Sequence, residues 1–97
     1  MEKFKKWTLS IIIPVYNEKN SIKKIIEKVM QANIGDFKKE IIIVDDCSTD
    51  GSKDIIKKLN GNFVTIFFEK NRGKGAALKA CINASKGNLI IFQDADL

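Results

Sequence analysis

The chain has no histidine and only two cysteines, Cys47 and Cys81, which stand far apart. Zinc sites of the usual Cys/His spacing are therefore excluded, because they need several nitrogen or sulfur donors at short intervals. No stretch approaches the ~18 consecutive apolar residues of a membrane-spanning helix. The basic start, Met1-Glu2-Lys3-Phe4-Lys5-Lys6-Trp7, lacks a following apolar segment and small-residue cleavage site, so a cytoplasmic location is expected. A disulfide is disfavoured in that compartment, and both cysteines are read as small, partly buried residues. Repeats, low-complexity stretches and linkers are also missing. The 97 residues make one domain, 1–97.

Basic residues outnumber acidic ones, 17 to 12. The lysine pairs Lys23-Lys24, Lys38-Lys39 and Lys57-Lys58 fall on the polar sides of expected helices or in loops. They are not gathered on one basic element with interleaved aromatics, so solvated faces are expected and no nucleic-acid partner. Lys5, Lys6 and Trp7 form one short basic segment, which is little basis for a membrane-surface contact.

Strand and helix signals alternate along the chain. Strands are expected at Leu9–Val15, with the single proline, Pro14, marking the exit, and at Glu40–Val44, Phe63–Phe68 and Leu89–Phe92. Ile22, Ile25, Ile26, Val29 and Met30 follow the spacing of an amphipathic helix. Asn20 or Ser21 would cap it, and Asn33 to Gly35 would close it. A second helix starts at Asp50-Gly51-Ser52 and carries Ile55, Ile56 and Leu59. A third follows Gly73 to Gly75 and carries Ala77, Leu78, Cys81 and Ile82. Apolar runs without period-two alternation, separated by helices, predict a parallel sheet covered on both faces.

Each polar cluster falls directly after a strand: Pro14-Val15-Tyr16-Asn17-Glu18, Asp45 to Asp50, Glu69 to Gly75, and Asp94-Ala95-Asp96. Ligands of open parallel sheets bind at the carboxyl ends of the strands, so the clusters should share one rim. Asp94 and Asp96, two apart after an apolar run, would project from one face of a strand and suit a hard divalent cation with a phosphate-bearing substrate. A polar strand exit is the simpler alternative for that triplet. Asp45 and Asp46 offer acceptors for a base or ribose, and Tyr16 a surface for a base, with Asn17 and Glu18 completing a polar wall. Arg72 and Lys74 offer positive charge to phosphate from a glycine-flanked turn. Thr49 and Asp50 are read as capping residues, and the turn at residues 71–75 serves either purpose.

The motifs Pro-Val-Tyr-Asn-Glu, Val-Asp-Asp-Cys-Ser-Thr-Asp-Gly-Ser, Asn-Arg-Gly-Lys-Gly and Asp-Ala-Asp, in this order, resemble the inverting family 2 glycosyltransferases of GT-A fold. The likeness runs from about Leu9 to Leu97 and is nearest to the branch that glycosylates polyprenyl (dolichyl-type) phosphates. It implies a three-layer α/β/α domain whose four-stranded parallel sheet has the order 3-2-1-4. It also implies a UDP- or GDP-sugar donor, with Pro14, Tyr16, Glu18 and Asp46 around base and ribose. Asp94 and Asp96 would be the DXD pair for Mg²⁺ or Mn²⁺, with Asp94 also on the donor. Cys47 stands where such proteins often have glycine, a change expected to matter little in a loop.

In such proteins the general base and acceptor site lie beyond the DXD pair, so this chain is expected to be a donor-binding part with negligible turnover of its own. The last strand would then expose an apolar edge prone to self-association. Two other domain types share part of this pattern. A dinucleotide-binding domain needs G-x-G-x-x-G after the first strand, which has no glycine there. A phosphoacceptor receiver domain shares the Asp-Asp strand and places an aspartate near Asp94 or Asp96, but leaves residues 9–35 surplus. An inactive folding or interaction fragment is the remaining alternative.

Overall fold

The computed structural model describes residues 7–96; Lys5, Lys6 and Leu97 lie outside it. Seven elements follow the expected alternation: β1 (Thr8–Val15), α1 (Ile22–Gln31), β2 (Lys38–Asp45), α2 (Ser52–Lys58), β3 (Phe63–Phe67), α3 (Lys74–Ala84) and β4 (Leu89–Phe92). The strands form one parallel sheet in the order β3-β2-β1-β4, as expected. β1 and β2 pair along eight positions, Thr8↔Lys38 to Val15↔Asp45. No helix among the described residues is long and apolar enough to cross a membrane.

Side-chain alternation divides the core. Ile11, Ile13, Val15, Ile41 and Ile43 face α1 and α2, where they meet Ile22, Ile25, Ile26, Val29 and Ile56. Ile12, Ile42 and Val44 face α3 and pack on Ala77, Cys81 and Phe68. Burial on both sides explains the unbroken isoleucine runs, and each fully buried isoleucine contributes about 1.5–3 kcal/mol. The small residues of α3 bring that helix close to the sheet. Gly87 permits the return to β4, since a Cβ there would strike the Ser10 side chain and stand 2.9 Å from Ser10 N and Thr8 O.

Pro14 stands one residue before the end of β1, at its exit as expected, paired with Val44. Its missing N–H is harmless because that side of β1 faces β4, whose last bond to β1 is Gln93 N–H to Ile12 C=O, 2.8 Å. α1 ends at Gln31, and its terminal carbonyls are met by the Lys39 ammonium, 2.7 Å from Val29 O and Ala32 O. Lys38 and Lys39 therefore open β2 instead of lying on a helix or in a loop. Met30, expected on the buried stripe, is exposed. β4 is bare on both faces: its four residues are 38–54% exposed, because α3 lies over β1 and β2.

Candidate functional site

The polar loops gather at the carboxyl ends of the strands and lock one another by hydrogen bonds. Asn17, in the left-handed region at φ 53°, donates its N–H to Ser48 Oγ at 2.9 Å. Its Oδ1 accepts the Thr49 N–H at 2.7 Å. Asn17 thus joins the β1 and β2 loops, where the sequence placed it in a polar wall. The Glu18 N–H donates to Ser52 Oγ at 3.0 Å, and Ser52 Oγ donates to Asp50 Oδ1 at 2.6 Å.

Asp50 also accepts the N–H of Ser52 and of Lys19. Desolvation pushes its carboxyl up, but the Ser52 hydroxyl and these N–H donors outweigh it and leave the pKa lowered. Asp50 therefore braces the entry to α2 from outside, while Gly51, at φ 100°, takes the cap position. Among the described residues the Thr49 side chain makes no hydrogen bond, so it does not cap α2.

Asp46 organises the next loop. Its Oδ1 accepts the Arg72 N–H at 2.7 Å and its Oδ2 the Gly73 N–H at 2.9 Å, while Phe68 N–H bonds Asp45 O at 2.9 Å. Gly73, at φ 93°, makes this approach possible immediately before α3. Those two N–H groups are therefore held by Asp46. Cys47 has φ 62°, a left-handed conformation that strains an L side chain. The glycine that the resemblance implies at this position would adopt this φ without strain, at a greater entropic cost on folding.

Between the loops lies an open cleft of about 510 Å³. Pro14, Tyr16, Glu18, Asp46, Lys74, Asp94 and Asp96 line it, so it brings together seven of the residues singled out from the sequence. β4 stops at Phe92, so the Asp94-Ala95-Asp96 triplet is a bend beyond the strand and not part of one. The i, i+2 geometry survives: Ala95 turns inward and is buried, and both aspartates turn out to the cleft.

Asp45 and Arg72 do not line the cleft. Asp45 is adjacent to Asp46, and neighbours on a strand point to opposite faces. It is fully buried on the α1/α2 side, where Oδ2 accepts the Ser48 N–H at 2.9 Å. Its Oδ1 has no hydrogen-bond partner among the described residues. The Arg72 guanidinium lies over the Phe68 ring, 4.6 Å from its centroid. Asn71 and Ala77 were missed and do line the cleft. Asn71 was legible within the Asn-Arg-Gly-Lys-Gly turn. Ala77 gave no signal, being a small residue one helical turn into α3 that leaves the floor open.

Four carboxylates (Glu18, Asp46, Asp94 and Asp96) face this cleft against one ammonium, Lys74. Lys74 Nζ lies 3.3 Å from Asp94 Oδ1, the one ion pair among the described residues. Asp94 and Asp96 supply hard, exposed oxygen donors, the type preferred by Mg²⁺ and Mn²⁺. No third His, Cys, Asp or Glu joins them in a metal-binding group among the described residues, so the rest of a coordination shell would come from ligand and water. The donor chemistry fits such an ion.

Residues 10–97 match the family model for Glycosyl transferase family 2. The undecaprenyl-phosphate 4-deoxy-4-formamido-L-arabinose transferase of Yersinia enterocolitica is 38% identical over 101 residues, covering 99% of this chain and 30% of the relative. The enzyme of that name from Edwardsiella ictaluri is 35% identical, covering 92% and 29%. The chain thus spans under a third of the length of these two relatives. Among solved structures, the Pyrobaculum calidifontis mannosyltransferase PcManGT with GDP-Man and Mn²⁺ superposes with a TM-score of 0.84 at 24% identity, covering 95% of this chain and 28% of that one. S. aureus TarS with UDP-GlcNAc gives 0.82 at 27% identity, covering 92% and 26%.

Proposed function

This chain belongs to glycosyl transferase family 2, and from that membership we propose that its cleft binds a nucleoside-diphosphate sugar together with a divalent cation. The observation that carries the proposal is the acidic cleft itself. A diphosphate anion is repelled by four carboxylates unless a cation enters with it. Asp94 and Asp96 would hold that cation, which supplies charge neutralisation for the diphosphate leaving group. Tyr16, half exposed at the rim, lies against the base, with Pro14, Glu18 and Asp46 around base and ribose.

Lys74 is placed to exchange Asp94 for a phosphate oxygen. Backbone N–H groups of the first turn of α3 add positive potential on the same side. Arg72 reaches the diphosphate only by leaving the Phe68 ring. Asp45 acts indirectly, by holding the β2 loop through Ser48. On this reading the chain is the donor-binding part of a hexosyltransferase. The undecaprenyl-phosphate transferases among the relatives favour a polyprenyl phosphate as acceptor of the longer protein, with UDP- and GDP-sugars both open as donors.

The receiver-domain rival loses ground because β1, which it leaves surplus, is a central strand held between β2 and β4. Titration calorimetry with UDP and with GDP, with Mn²⁺ and with EDTA, tests the proposal. Metal-dependent binding that Asp94→Asn and Asp96→Asn abolish is expected. No metal-dependent heat at millimolar nucleotide, or labelling of Asp94 or Asp96 by acetyl phosphate, would overturn it.

A further inference from the structure

We propose that Ser21 is a positioning residue for the cation-binding pair, fixing the Asp94-Ala95-Asp96 bend from behind the cleft. The proposal rests on Asp94 and Asp96 being the cation ligands, as argued above.

Ser21 stands at the N-cap of α1, where a serine side chain ordinarily accepts an N–H from the first turn. It makes no such bond. The Glu18 carbonyl accepts the N–H groups of Ser21 and Ile22 at 3.1 and 2.9 Å and fixes the entry of the chain into α1. The Ser21 hydroxyl instead donates its proton to the Ala95 carbonyl at 2.6 Å in a buried contact. Glu18 Oε2 lies farther off, at 3.3 Å. A hydroxyl has one proton, so the shorter contact takes it, and the Glu18 carboxylate remains directed to the cleft.

This bond has few substitutes. The Gln93 N–H to Ile12 C=O bond fixes the chain only up to the bend. Beyond it, among the described residues, the adjacent Gln93 side chain donates to the Asp94 carbonyl at 3.0 Å, and Ser21 alone reaches the backbone of 94–96 from another part of the chain. The Ala95 side chain is 4% exposed within the α1/α2-side core, so its methyl and its carbonyl are both held. Fixing the middle residue on both counts sets the outward direction of the two aspartates beside it. Two carboxylates held together against their repulsion form a pre-organised cation site; released, they swing apart.

The same hydroxyl links the acidic bend to the loops behind it. Asp50, Ser52, Glu18, Ser21 and Ala95 form a continuous series of bonded groups from the entry of α2 to the acidic bend. Nothing adjacent in sequence marks this role, since Ser21 and Ala95 are 74 residues apart.

The test compares wild type with Ser21→Ala and Ser21→Cys. UDP and GDP affinities are measured in Mn²⁺ and in EDTA, Mn²⁺ binding alone is followed by electron paramagnetic resonance, and urea unfolding serves as a control. Loss of one buried, hydrogen-bonded anchor is expected to lower metal-dependent affinity about tenfold in Ser21→Ala, with binding in EDTA unchanged. Ser21→Cys keeps the volume but weakens the donor, and should fall between. Wild-type metal dependence in a folded Ser21→Ala protein overturns the proposal, as does equal loss in Mn²⁺ and in EDTA. If Ser21→Ala does not fold, Ser21→Cys decides on the same criteria. Absence of metal dependence in the wild type would instead overturn the donor-site reading.

Discussion

Replacing Asp46 with asparagine separates its two roles, because the substitution preserves volume and changes hydrogen bonding. The Asp46 carboxylate is 5% exposed and accepts the Arg72 and Gly73 N–H groups at 2.7 and 2.9 Å. A bond to an ionised acceptor contributes about 1.5–3 kcal/mol, against about 1 for a neutral one. The asparagine would retain one oxygen, making one neutral bond, and would turn an amide N–H₂ toward the other donor. The expected loss is about 2 kcal/mol in the unliganded protein. For a chain of about 100 residues that lowers Tm by about 8–16 °C. Urea unfolding should show a lower midpoint with an unchanged slope. Nucleotide binding should weaken as well when measured where both proteins are folded. If Asp46 only touched ligand, removing its charge from an acidic cleft would leave unliganded stability unchanged or raise it. An unaltered urea midpoint in Asp46→Asn would refute the claim that this carboxylate builds the loop before α3.

The remaining predictions concern other positions. Cys47→Gly should be neutral or stabilising by up to about 1 kcal/mol, since relief at φ 62° offsets glycine's greater freedom in the unfolded chain, whereas Cys47→Val should destabilise; urea midpoints check both. Burial raises the Cys81 thiol from 9.0 to about 11, so its contribution to stability is full below pH 9 and is lost as pH rises towards 11. Denaturation midpoints across that range should fall in wild type and less in Cys81→Ala, and Cys81 should react with thiol reagents only on unfolding. Lys74→Gln should alter stability by less than about 1 kcal/mol, because both partners of its ion pair are about two-thirds exposed, yet weaken UDP and GDP binding in calorimetry. Light scattering should show concentration-dependent association through the bare β4 edge, reduced by Ile91→Lys; a clean monomer at high concentration would contradict this.

Much of the fold was legible because it rests on local pattern. The runs Ile11–Ile13 and Ile41–Val44 lack alternation, which is the mark of strands buried on both faces, and the isoleucines of α1 recur at helical spacing. The placing of polar clusters after strands is equally local, so their convergence on one rim followed once the strands were parallel. Which member of Asp45-Asp46 enters the cleft was not local. Strand geometry dictates that they point apart, but the face that belongs to the cleft depends on α3 packing on one side and α1 with α2 on the other. The stacking of Arg72 on Phe68, the use of Lys39 to close α1, and the positive φ of Cys47 are settled by loop and turn conformations that periodicity does not specify.

The sequence by itself therefore determined the alternation of elements, the apolar layers and the set of polar residues available at the rim. Tertiary structure decided which of them share the cleft, and it diverted Ser21 from capping a helix to holding the Ala95 carbonyl. The physical reason is that periodicity and turn chemistry act over a few residues. A side chain's partner, by contrast, is fixed by register and packing between segments that the sequence keeps far apart.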